Sequence, residues 1–95
     1  MITKEQVIEV IKKVEDPELS IDVWTLGLIY GIESREEEVD IKMTFTSPLC
    51  PYGPMLVDDI KRRLQDLGAR KVNVEIVLSP PWEPSEHVKE LLGIG

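Results

Sequence analysis

A chain of 95 residues, 42% hydrophobic and 31% charged, can close one hydrophobic core but not two, so a single domain over residues 1–95 is expected. The composition excludes a disordered tail, and one cysteine cannot form an internal disulfide. A formal net charge of −7 argues against nucleic acid as a partner, because binding that polyanion depends on clustered Lys and Arg at phosphates.

At the start, Thr3 with Gln6 three residues on makes a capping box, and Val7, Ile8, Val10, Ile11 and Val14 recur at helical spacing. A first helix to about Val14 follows, with Pro17 as its stop. The opening residues lack the basic start, apolar run and small-residue cleavage site of a secretory signal. Ile21 to Ile32 is the longest mostly apolar stretch; it is broken by Asp22 and is shorter than the ~18 residues of a membrane span. A cytoplasmic protein with a reduced thiol and no membrane partner is therefore expected.

Leu28 to Ser34 reads as a strand, and Arg35-Glu36-Glu37-Glu38 as a charged turn into a second strand, Val39 to Thr46. There Val39, Ile41, Met43 and Phe45 alternate with polar neighbours, so this strand is half-buried and antiparallel to the one before. The period then changes: Leu56, Ile60, Leu64 and Leu67 form the apolar stripe of a helix, with Pro54 suited to its first position and Gly68 to the position past its end. Lys61-Arg62-Arg63, interspersed with Asp58, Asp59 and Asp66, reads as its solvated face. Val72, Val74, Ile76 and Leu78 alternate again as a third strand, parallel to the strand before the helix if the two share a sheet. A rigid segment, Ser79 to Pro84, precedes a closing helix from Ser85 to Leu92 that stops at Gly93. The expected fold is α+β, in the order α-β-β-α-β-α, with helices on a small mixed sheet of about three strands.

Glycine-rich phosphate loops, zinc-spaced cysteine pairs and nucleophile elbows are absent from the sequence. Chemistry concentrates on Thr46-Ser47-Pro48-Leu49-Cys50-Pro51-Tyr52-Gly53-Pro54, which joins the second strand to the long helix. A cysteine in or just ahead of a first helical turn is pushed toward thiolate by the helix dipole, which makes it a better ligand and nucleophile. Pro51 places Cys50 at the cap, whereas Pro54 starts the helix later and leaves Cys50 on the loop; both arrangements stay open. A buried, inert Cys50 is the competing structural reading. Asp16-Pro17-Glu18 is a second candidate, although carboxylates flanking a proline also suit a turn in which Asp16 accepts from nearby backbone N-H groups. Thr46 and Ser47 are candidate donors to an anionic sulfur. Trp82 reads as a plug over the sheet, and His87 as a helix-surface residue.

Together, Asp16-Pro17-Glu18-Leu19, Leu26-Gly27-Leu28-Ile29-Tyr30, Thr46-Ser47-Pro48-Leu49-Cys50-Pro51 and Pro80-Pro81-Trp82 closely resemble the metal-sulfur cluster biosynthesis family of small PaaD-like and SufT-like iron-sulfur assembly domains. Thr25 departs from it, standing where that family usually has an acidic residue. The resemblance implies a non-enzymatic factor that matures or delivers iron-sulfur clusters. It further implies Cys50 as the functional thiol and metal ligand, with Asp16, Glu18, Thr46 and Ser47 lining the same site. The implied cofactor is a transient iron-sulfur cluster, and the implied partners are a cluster scaffold and client apo-proteins. One thiolate per chain falls short of the roughly four ligands a cluster takes, which leaves a homodimer sharing a cluster, a transient carrier or an adaptor. A thiol enzyme using Cys50 as nucleophile is the alternative, without a recognisable base or resolving cysteine; a structural subunit of a larger complex is another.

Overall fold

The computed structural model describes residues 2–46 and 52–93. The capping box forms: the Gln6 N-H donates to Thr3 Oγ1 at 3.2 Å and the Thr3 N-H to Gln6 Oε1 at 2.9 Å. It opens α1 (Lys4–Ile11), whose Val7 and Ile11 are fully buried one turn apart. The helix ends before Val14, earlier than its apolar spacing predicts. Lys13 and Val14 donate to Val10 and Ile11 in a tightened last turn, and the Val14 carbonyl then accepts from Val23 at 2.9 Å. Val14 is still completely buried, so its apolar character serves the core from outside the helix.

The segment read as a turn contains a two-stranded antiparallel hairpin, β1 (Glu15–Asp16) and β2 (Ile21–Asp22). Its bend carries Ser20 at φ 57, a left-handed conformation that a serine tolerates at a turn. The main sheet has the order β3-β4-β5, built from β3 (Ile29–Arg35), β4 (Glu38–Met43) and β5 (Lys71–Ile76). β3 and β4 are antiparallel, and β4 and β5 are parallel, as the strand-helix-strand order predicts. The expected second strand is shorter than its alternation. Val39, Ile41 and Met43 are buried, but Phe45 lies beyond the strand and is half-buried.

α2 (Gly53–Leu67) crosses from β4 to β5 and buries Gly53, Leu56, Ile60 and Leu64 on one stripe. Leu67 remains 38% exposed, because the chain turns away at Gly68 (φ 123), where the helix ends, and feeds Ala69 into the core. The buried Leu, Ile and Met side chains here contribute about 1.5–3 kcal/mol each relative to exposure. α3 (Glu86–Leu92) is capped by Ser85, whose hydroxyl accepts from the Val88 N-H at 3.2 Å, and ends at Gly93 in the left-handed region. The solvent face of the sheet is polar: Arg35 pairs with Asp40 at 2.6 Å, and Asn73 Nδ2 donates to Asp40 Oδ1 at 2.7 Å. The Asn73 hydrogen bond, followed by Arg35, holds the Asp40 carboxyl below its ordinary value. Among the described residues no helix is long and apolar enough to cross a membrane.

Candidate functional site

The topology gathers the start of β3, the ends of β4 and β5 and the start of α2 at one end of the sheet. β4 and β5 finish there, β3 begins there, and α2 starts there because it runs back toward the beginning of β5. Backbone hydrogen bonds tie this end together: the Thr44 N-H donates to the Leu28 carbonyl at 2.8 Å and the Val77 N-H to the Met43 carbonyl at 2.8 Å. The segment after β5 folds back across it. Trp82 Nε1 donates to the Leu26 carbonyl at 2.6 Å, and Tyr30 Oη to the Pro80 carbonyl at 3.2 Å. Trp82 is half-buried against the core, the plug its prolines suggest.

Tyr30 owes its position to an irregularity. Ile29 pairs with Met43 and Gly31 with Lys42, so Tyr30 is the extra residue of a bulge, a device that re-aims a side chain and recurs beside functional sites. The glycine within the strand is the one sequence signal for it. Asp22 was not a sequence candidate, yet its Oδ2 accepts from the Thr25 N-H at 2.9 Å. The residue that departs from the family pattern is thus held through its backbone.

Asp16 is 1% exposed, and Oδ1 of its carboxylate accepts from the Glu18 N-H at 2.8 Å and the Leu19 N-H at 3.3 Å. This is the turn-forming arrangement its sequence allows. Glu18 is exposed, and Thr46 is half-buried beyond the end of β4. Among the described residues no hydrogen bond joins Asp16 or Glu18 to Thr46. Ser47 and Cys50 lie outside the described residues. Beyond them Tyr52 is the N-cap of α2 and makes no side-chain capping bond, and the first turn of the helix carries no acidic residue. The positive end of that helix dipole therefore has no compensating charge from its own first turn. Gly53 stands against the Phe45 ring so closely that a Cβ there would lie 2.7 Å from Cε2 and Cζ, so the joint between β4 and α2 is tight. His87 is exposed on α3. Among the described residues no group of three or more His, Cys, Asp or Glu gathers to hold a metal ion.

A family model described as iron-sulfur cluster assembly protein matches residues 4–76. The Fe-S protein maturation auxiliary factor YitW of Bacillus subtilis (strain 168) is 41% identical, with 96% of this chain and 94% of that protein covered. An iron-sulfur cluster carrier protein of Synechocystis is 28% identical over 98% of this chain, which spans 27% of the carrier's length. A solved structure, a conserved hypothetical protein from Thermotoga maritima, superposes with a TM-score of 0.84 at 37% identity, covering 98% of this chain and 96% of the other.

Proposed function

The chain belongs to the iron-sulfur cluster assembly protein family, and on that premise we propose that it is a cytoplasmic, non-enzymatic factor that assembles or delivers iron-sulfur clusters through Cys50. Relatives named as a maturation auxiliary factor and a cluster carrier support the coarse role. The observation that carries the mechanism is the joint from β4 to α2: the cysteine segment connects a strand end to a 15-residue helix whose first turn holds no acidic residue. Such a position favours a thiolate.

In this reading the cluster is cargo. The Cys50 thiol gives its proton to solvent, and the thiolate replaces one ligand of a scaffold-held cluster; a client thiolate later displaces Cys50 in the same way. One thiolate per chain makes the association transient, since a stable cluster takes about four ligands. Thr46 and Ser47 donate to the sulfur. Asp16 and Glu18 shape the neighbouring turn, with the Asp16 carboxylate already engaged by backbone N-H groups. The partners are a cluster scaffold and client apo-proteins.

The test is anaerobic. Wild type and Cys50→Ser are offered ferrous iron and sulfide, iron and sulfide are counted per chain, and Cys50→Ala is assayed for support of a cluster-dependent enzyme. Cluster binding by wild type alone, with a folded but inactive Cys50→Ala, is expected. Full support of maturation by Cys50→Ala sinks the reading.

A further inference from the structure

We propose that the edge of β5, unpaired among the described residues, is a self-association surface, on which a second copy of this chain pairs antiparallel to form a continuous six-stranded sheet. β5 is the edge of the order β3-β4-β5, and its pairing with β4 runs without interruption from Lys71 to Ile76. The opposite edge, β3, is blunted by its bulge, whereas a regular six-residue edge is a template for another strand. The Lys71 and Val77 N-H groups donate inward, to Glu37 and Met43. By the period of two, Val72, Val74 and Ile76 direct their backbone groups outward.

Charge selects the occupant and the register. Lys71, Asn73 and Glu75 are exposed on the solvent face. With Asn73 opposite Asn73 of the second copy, Lys71 meets Glu75 of the second copy twice over, and Val72 exchanges backbone hydrogen bonds with Val74 of the second copy. Moving the centre to Glu75 opposes like charges, and centring on Val74 leaves Glu75 against Asn73. The chosen register also continues an alternation already present. Arg35 pairs with Glu38 and Glu38 with Lys71, while Lys42 pairs with Glu75, so an alternating row of positive and negative charge runs across the joined sheet. On the other face, β5 grows more exposed along its length, from Val72 at 8% to Ile76 at 36%, and Leu78 beyond it is at 53%. In this register Ile76 stands diagonal to Val72 of the second copy, which covers part of that apolar end. The two-fold axis stands perpendicular to the sheet, so the joints from β4 to α2 of the two copies lie at opposite ends of the dimer. It therefore does not build a shared Cys50 site, and it stands or falls independently of the cargo reading.

The test is sedimentation from micromolar to millimolar concentration at physiological ionic strength, where long-range repulsion between chains of charge −7 is screened. Wild type is expected to dimerise. Lys71→Glu and Glu75→Lys are each expected to raise the dissociation constant about tenfold, because either one turns two attractive cross-strand pairs repulsive. An equimolar mixture of the two variants sets an acidic edge against a basic one and should dimerise at least as well as wild type. Amide exchange at Val72 and Val74 should slow as concentration rises. A wild type that stays monomeric at millimolar concentration, a mixture that does not associate, or exchange independent of concentration overturns the proposal.

Discussion

Replacing Gly53 with alanine tests the joint between β4 and α2. The φ of Gly53 is not in the left-handed region, so its requirement is space alone. A Cβ there would lie 2.7 Å from two Phe45 ring atoms and 3.2 Å from a third, where ordinary carbon contacts are about 3.5–4.0 Å. Relief needs a shift of roughly 1 Å by a rigid, half-buried ring or by the helix start, and overpacking of this kind costs about 1–3 kcal/mol. Alanine recovers up to about 1 kcal/mol through its better helix propensity, less at a first position. The expected net loss is about 1–2 kcal/mol, a fall in Tm of roughly 4–16 °C for a domain of this size. Urea unfolding of Gly53→Ala, Phe45→Leu and the double variant measures it, and the double should lose less than the sum of the singles because the smaller side chain vacates the contested space. A Gly53→Ala protein as stable as wild type would refute the packing argument.

Trp82→Phe keeps an aromatic ring but removes the N-H that donates to Leu26 at 2.6 Å. A loss of about 1–3 kcal/mol in urea unfolding is expected from the stranded carbonyl, and unchanged stability would show that the segment is not held by this bond. Asp40 titrates below its ordinary 3.8 because the folded protein stabilises its carboxylate, first through Asn73 and then through Arg35. Its folded pKa is depressed, so its contribution to stability is present above 3.8 and is lost as pH falls through the lower folded value. NMR titration of the Asp40 carboxyl carbon should give a midpoint below 3.8 that rises in Asn73→Ala; a midpoint insensitive to that change removes Asn73 as the leading cause.

Periodicity made the helices and the three main strands legible. Thr3 and Gln6 announce α1, Leu56, Ile60 and Leu64 mark the buried stripe of α2, and the alternation through Val39, Ile41 and Met43 sets β4 facing the core. These signals are local, with each residue informative through neighbours one to four positions away. The small hairpin escaped because two-residue strands carry no period, and what specifies them is the Val23 to Val14 bond together with the engagement of Asp16 by its own turn.

At the site, sequence alone determined that the one cysteine falls between a strand and a helix, and that Asp16, Thr46 and Trp82 belong to segments rich in turn residues or prolines. Only the tertiary structure decided that the start of β3, the ends of β4 and β5 and the Trp82 segment share one end of the sheet. Trp82 meets Leu26 across 56 positions, and Tyr30 meets Pro80 across 50. No short-range pattern encodes such contacts. They arise once β4 and β5 lie side by side and parallel, because that pairing returns the chain over the start of β3, where a bulge has turned Tyr30 to receive it.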